Sequence, residues 1–429
     1  MKKTILFFAS LFFAHLACSE DNVRPNVILI LSDDHGFTDY GFMGHKVVKT
    51  PNIDRMASQS MLYTRGYVMP VCSPSLATLL TGQLPHVHGI TGNDLSKKNN
   101  EKAKPKGPGD RSPLAHQLLS NSMILPKALS AAGYLTFQSG KLWNVTAQEV
   151  GFTTGMTNVE GRHGGDGLEI GRKTMKPVFD FMDNAQSQKK PFFVWYAPML
   201  PHQPHNPPKE LLAHYQGKGL SVKAATYYAM VEWFDKTCGE LDDYLTKHQL
   251  ADNTVIIYMA DNGWDAEEGN RAKLSPYELG IRSPMFVRWP KKVKPMRDEE
   301  TLASIVDFVP TVLNACNIKV PNDLPGLDLT NRESMTARKS VFVEAYTHDI
   351  AALGQPEKSL VTQVIINGWS KLLIPGKISA DKAFTSAPTA IELFDLKSDP
   401  MEKQDLSAKN PEEVTRLKGL QHAEWNAAK

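Results

Sequence analysis

Acidic pairs, two lysines, a histidine and a cysteine fall at informative places in this 429-residue chain. Asp33 and Asp34 follow the apolar run Val27-Ile28-Leu29-Ile30-Leu31, and Asp261 with Asn262 follows Val255-Ile256-Ile257-Tyr258-Met259. Clustered carboxylates repel one another and raise their own pKa values unless a cation neutralises them. An oxygen-only donor set favours calcium or magnesium over zinc. Lys141 follows Tyr134-Leu135-Thr136-Phe137, and Lys273 precedes Leu274-Ser275-Pro276-Tyr277-Glu278. Beside a metal, two such lysines clamp an anion and stabilise charge on a transferring sulfuryl or phosphoryl group. His202, in Pro201-His202-Gln203-Pro204-His205 after Phe192-Phe193-Val194-Trp195-Tyr196, suits proton donation to a leaving alkoxide near neutral pH. His205 reads as structural.

The nucleophile candidate is Cys72, in Cys72-Ser73-Pro74-Ser75-Leu76-Ala77-Thr78-Leu79-Leu80-Thr81-Gly82. Ser73 reads as an N-cap, Pro74 as the first helical residue and Gly82 as the stop. The thiol then sits one step before a helix, facing unpaired N–H groups and the positive end of the macrodipole. That setting lowers a thiol pKa and attracts anions.

Those residues need strands and helices to hold them. The four apolar runs read as strands buried on both faces. Helical patterns lie between them, at Asn52 to Ser60, Pro74 to Thr81, Ile124 to Ala132 and Ala225 to Lys247. The expected fold is α/β, a large mostly parallel sheet sandwiched by helices, with its strand ends gathering the polar residues on one edge. Asn93 to Pro113, rich in Lys, Asn, Gly and Pro, reads as a surface loop. A Pro/Gly-dense stretch at Val320 to Gly326 marks a boundary. Beyond it, strands at Ser340 to Ala345 and Lys371 to Ile374 and a polar helix from Pro411 make a smaller C-terminal α+β subdomain. The expected division is 1–19 signal peptide, 20–325 catalytic domain and 326–429 C-terminal subdomain.

Composition agrees with a globular protein, at 41% hydrophobic and 22% charged. A net charge of +2 gives no reason to invoke nucleic acid or a membrane surface. Lys2 and Lys3 ahead of an apolar run from Ile5 to Phe13, with Ala17-Cys18-Ser19 beyond, read as an export signal too short to span a bilayer. A periplasmic or secreted protein is expected, in preference to a lipoprotein anchored at Cys18. Cleavage leaves Cys72, Cys238 and Cys316, an odd number, with pairing of the last two left open.

The Cys72 stretch resembles the sulfatase signature C-x-P-S-R followed by a helix ending in L-T-G, with Leu76 in place of the arginine. Arg24-Pro25-Asn26-Val27 leading to Asp33-Asp34, Gly140-Lys141, Pro201-His202, Asp261-Asn262-Gly263, Lys273 and Gly280-Ile281-Arg282 match further family segments in order and spacing. Glu392-Leu393-Phe394-Asp395-Leu396 resembles its C-terminal signature. The resemblance implies one calcium held by Asp33, Asp34, Asp261, Asn262 and the formylglycine that a maturation enzyme makes from Cys72. It implies sulfate binding by Lys141 and Lys273 and leaving-group protonation by His202. A hydroxyl of the hydrated aldehyde would attack the sulfur of an aryl or carbohydrate sulfate, and the second hydroxyl would release it. Trp143 stands where many members carry a histidine. A phosphodiesterase or phosphonate hydrolase of the wider superfamily and a non-catalytic binder of sulfated ligands are the alternatives.

Overall fold

In the computed structural model of the chain the described residues are 24–96, 113–143, 145–157, 165–267, 269, 271–378 and 386–427. The expected signal segment and most of the 93–113 loop lie outside them. The strands are β1 (Asn26–Ser32), β2 (Met61–Tyr67), β3 (Asp94–Leu95), β4 (Leu135–Gly140), β5 (Thr154–Gly155), β6 (Phe192–Ala197) and β7 (Thr254–Ala260). They continue as β8 (Met285–Arg288), β9 (Met296–Ser304), β10 (Ser340–Tyr346), β11 (Asp349–Ile350), β12 (Leu360–Asn367), β13 (Ser370–Pro375) and β14 (Glu392–Asp395). The main sheet has eight strands in the order β5-β4-β6-β1-β7-β8-β2-β9, parallel except where β8 pairs with β7 and β2.

β1 lies between β6 and β7 and is buried along its whole length. Val27, Leu29 and Leu31 point into one core and Ile28 and Ile30 into the other, as the two-residue period of a strand requires. Each such side chain contributes about 1.5–3 kcal/mol on leaving water. The helices that cover the sheet are α1 (Pro51–Ser58), α2 (Cys72–Thr81), α3 (Pro113–Leu119), α4 (Leu125–Ala131), α5 (Lys176–Ser187), α6 (Val222–Lys247), α7 (Glu278–Ile281) and α8 (Phe308–Ala315). α2, α3, α4 and α8 pack on the Val27 face, and α1, α5 and α6 on the Ile28 face.

Among the strands that escaped the sequence pattern are β2 and β9. β2 carries Thr64, Arg65 and Gly66, and β9 is largely charged. Arg65 is nonetheless buried, because its guanidinium donates to Glu300 O (2.9 Å) and Gly368 O (2.6 Å) and lies 3.6 Å from the Trp369 ring. Tertiary partners satisfy what the local pattern marks as polar.

A second, antiparallel sheet, β10-β12-β13-β14, forms the smaller C-terminal layer. Val364 and Ile366 of β12 join the main core, while Ile365 meets Leu372, Leu393 and Leu417, the last on α9 (Pro411–Ala427). The separate two-stranded pairing of β3 with β11 ties residues 94–95, expected as plain loop, to the segment that follows β10. Cys238 and Cys316 are both free thiols, buried in cores on opposite faces of the main sheet. Among the described residues no helix is long and apolar enough to cross a membrane.

Candidate active site

The C-terminal ends of β1, β4, β6 and β7 meet at one edge, and the expected residues converge there. β1 runs into Asp33 and Asp34, the latter in the left-handed region at φ 59°, a conformation aspartate tolerates better than most residues. β4 ends at Gly140, φ 79°, where a Cβ would stand 1.9 Å from Ala197 O. Only glycine permits that approach, and it turns Lys141 inward with its N–H on Ala197 O at 2.7 Å. Lys273 comes from the segment before α7. Leu274 after it is also left-handed, at φ 68°, held by its N–H on Pro70 O (2.9 Å) and packed against the Val71, Ala345 and Val361 cluster.

Lys141 Nζ lies 2.7 Å from Asp33 Oδ1 and 3.2 Å from Asp261 Oδ2, and Lys273 Nζ lies 2.6 Å from Asp34 Oδ1. Asn262 Nδ2 donates to Asp34 Oδ1 at 2.8 Å, and the Asp34 N–H to Asp261 Oδ1 at 3.2 Å. Cys72 Sγ approaches Asn262 Oδ1 at 3.3 Å, and His202 Nε2 approaches Asp34 Oδ2 at 3.5 Å. Side chains of Asp33, Asp34, Cys72, Lys141 and Asp261 are buried, whereas His202 and Lys273 keep 18% and 17% exposure and mark the open side.

Electrostatics follow from that crowding. Burial, reinforced by Asp33, pushes Asp261 up to about 6. Burial also raises Asp34, but Lys273, His202 and Lys141 together outweigh it and hold the carboxyl below its usual range. Burial opposes charge on Lys141, yet Asp261 and Asp33 keep its ammonium well above the ordinary lysine value. His202 is pushed down to about 4, mainly by burial, with its Nδ1–H donating to Gln203 O at 2.5 Å. Nε2 is then the nitrogen that faces the site.

The donor set fits a hard dication. Ligand atoms of Asp33, Asp34 and Cys72 lie within 4.8 Å of one another, and buried Asp33 Oδ2 has no hydrogen-bond partner. Three carboxylates face two ammonium groups, which leaves one negative charge uncompensated in a buried place, where that is costly.

Two expectations about Cys72 need correction. It is the first residue of α2, not the residue before a helix capped by Ser73, and the N-cap is Val71, whose side chain makes no cap. The role expected of Ser73 falls to Asn93, whose Oδ1 accepts from the Ser73 N–H at 3.0 Å. The thiol is not acidified either. Burial outweighs the pull of Lys141 and Lys273 and pushes it up to about 12. As a cysteine, residue 72 is a poor nucleophile at neutral pH.

Three supporting residues were missed. Arg172 donates from Nη2 and Nε to Met199 O (2.5 and 3.1 Å), from Nη2 to His202 O (2.9 Å) and from Nη1 to Asn206 Oδ1 (2.6 Å), fixing the His202 loop. His35 bridges Ser32 Oγ and Asp39 O and stacks on Tyr40 at 4.0 Å. Asn93 was read as loop. A lone arginine or asparagine gives no sequence signal for such roles.

Comparisons with known proteins identify the family. The family model described as Sulfatase matches residues 25–318, and that of the N-sulphoglucosamine sulphohydrolase C-terminal region matches 267–423. N-acetylgalactosamine-6-sulfatase of Mus musculus is 26% identical, the alignment covering 89% of this chain and 82% of the relative. N-acetylglucosamine-6-O-sulfatase of Bacteroides thetaiotaomicron is 23% identical, covering 91% and 84%. Among solved structures, PsFucS1 sulfatase from Pseudoalteromonas sp. superposes with a TM-score of 0.69 at 22% identity, covering 94% of this chain and 90% of that one. BT4656, solved in complex with its substrate D-glucosamine-2-N,6-O-disulfate, also gives 0.69, at 20% identity and covering 94% and 98%. With the family model matching residues 25–318 and solved relatives superposing on 94% of its length, the chain belongs to the sulfatase family of sulfuric ester hydrolases.

Proposed function

We propose that this sulfatase hydrolyses a sulfate monoester of a carbohydrate, using formylglycine made from Cys72 and one calcium ion. The observation that carries the reading is the convergence of Asp33, Asp34, Asp261, Asn262, Lys141 and Lys273 around residue 72, with one carboxylate charge left over. Sugar specificity is supported by relatives that act on N-acetylhexosamine sulfates. Formylglycine, once hydrated, supplies one hydroxyl to attack sulfur and a second to release sulfate. Calcium, held by Asp33, Asp34, Asp261, Asn262 and residue 72, supplies positive charge against the transferring group.

The remaining work falls to this chain's own side chains. Lys141 and Lys273 hold the sulfate oxygens, so each ammonium exchanges part of its contact with a carboxylate for one with substrate. His202 delivers a proton from Nε2 to the leaving oxygen, and the negative charge of a bound ester favours the protonated ring. Arg172 keeps that ring aimed by gripping the carbonyl of its own residue.

Export by the N-terminal segment, to the periplasm or outside the cell, and conversion by a separate maturation enzyme belong to the same proposal. Mass analysis of the peptide spanning residue 72, from protein made in its native host, is the test. Formylglycine is expected, and an unmodified thiol would sink the mechanism. Sulfated N-acetylhexosamines, an aryl sulfate and an aryl phosphate should then be compared as substrates. Faster turnover of the phosphate would move the reading to phosphoryl transfer.

A further inference from the structure

Asn93 is 4% exposed and held by several hydrogen bonds, among them three that bear on the site. Its N–H donates to His348 O at 2.8 Å, its carbonyl accepts from Trp143 Nε1 at 2.6 Å, and its Oδ1 accepts from the Ser73 N–H at 3.0 Å. The neighbouring Gly92 lets this segment press against residues 347–348, since a Cβ there would stand 2.7 Å from His348 O and 3.0 Å from Thr347 O. Trp143 is 6% exposed, and its ring lies 5.8 Å from Lys141 Nζ. Trp143 and Leu76 also line one apolar cavity of about 10 Å³ with Leu80, Ile90, Leu142 and Val145.

We propose that Trp143 and Asn93 form a strut that sets the position of the nucleophile. The reading rests on residue 72 being that nucleophile. The indole N–H fixes the Asn93 carbonyl, and the Asn93 amide oxygen fixes the backbone N–H next to residue 72. A strand end that carries the sulfate-holding Lys141 is thereby coupled to the helix that carries the attacking group. Both are positioning residues. The strut occupies the side of the site where the family signature has arginine at 76. Here position 76 lines a mostly apolar cavity with leucines and an indole, where a guanidinium would be costly to bury.

The variants W143F, N93A and N93D, matured in the same host, test the strut with 4-nitrophenyl sulfate as probe. W143F keeps the ring and loses the donor, and N93D keeps a side-chain acceptor for the Ser73 N–H. In W143F and N93A kcat should fall about 10–100-fold, with KM within about threefold. The fraction of residue 72 converted to formylglycine should not change. N93D should recover most of the kcat that N93A loses. Hydrogen exchange at the Ser73 amide should accelerate in N93A and return toward the parent rate in N93D, a readout independent of turnover. If the parent protein turns over neither the probe nor a sulfated N-acetylhexosamine, the sulfatase reading fails while the exchange result still decides the strut. Parent-like kcat in both W143F and N93A overturns the strut, as does unchanged Ser73 exchange in N93A or a loss that follows conversion alone. L76R should lower the melting temperature without raising kcat, and a stable, faster L76R would equally overturn it.

Discussion

Among the described residues two lysines are buried almost completely, each between two carboxylates, and they do different work. Lys141 joins Asp33 and Asp261 at the sheet edge. Lys371, on β13, joins Glu278 (3.1 Å) and Glu402 (2.7 Å) where the small sheet meets the large one. Around Lys371 the charges close. Glu278 also pairs with Arg282 at 3.6 Å and accepts from Tyr67 OH at 3.3 Å, and Glu402 Oε2 accepts from the Glu278 N–H at 2.6 Å. Around Lys141 they do not close. A third carboxylate leaves excess negative charge beside two partly exposed cationic or proton-carrying side chains. Burial of a lysine is therefore not what marks a site. Incomplete compensation next to an opening is.

The largest effect that separates the two clusters is on turnover. Lys141→Met should lower kcat/KM for an aryl sulfate by about 10³-fold or more. Lys371→Met should leave kcat of the folded fraction within about threefold and cost about 3 kcal/mol of stability, because it leaves buried Glu402 without its cation and Glu278 with Arg282 alone. Urea unfolding beside steady-state kinetics checks both. Loss of turnover in Lys371→Met at unchanged stability would erase the distinction.

Chelation should come next. EDTA is expected to reduce activity about tenfold or more and to lower the melting temperature by about 5 °C, with calcium restoring both. The Lys371→Met protein should respond in the same way, since the cluster it alters is apart from the residues proposed to hold the ion. A parent enzyme indifferent to EDTA and calcium would remove the reason given for the excess charge.

The smallest effect concerns buried groups kept neutral. Burial pushes His35 and His88 down to about 3. In the unfolded chain they take up protons near 6.5, so between pH 6.5 and 3 the folded state binds fewer protons and stability is lost as pH falls. Burial raises Asp39 to about 7 and Asp235 to about 6, and these contribute in the opposite sense, their stabilisation being lost as pH rises through those values. His88→Asn should reduce the acid-side dependence of stability by about one proton. A slope identical to that of the parent would contradict the assignment.

Much of this was legible in the sequence where residue type and local pattern carry the information. β1, β4, β6 and β7 are short apolar runs flanked by polar residues, and the expected spans agree with the observed ones to within a few residues. The site residues at their ends were legible because a parallel sheet has only one edge where they can meet. β2 and β9 were not legible, since Arg65 and the charged residues of β9 find their partners across the fold. The Ser73 cap failed for the same reason, a local rule overridden from twenty residues away by Asn93. The acidic thiol failed on magnitude. A macrodipole shifts a charge by about 0.3–1 kcal/mol at a surface, and complete burial outweighs that.

All ten residues of α2 are buried, residue 72 included. An oxidising enzyme of the kind the proposed maturation requires cannot reach a fully buried side chain in the finished fold. On the proposed maturation the event therefore has a deadline, set by how fast this largely parallel sheet assembles. A molecule that folds first keeps its thiol until it unfolds again. The specific activity of a preparation then records a race between two clocks, and slowing the growth of the producing cells or delaying the collapse of the chain should raise it.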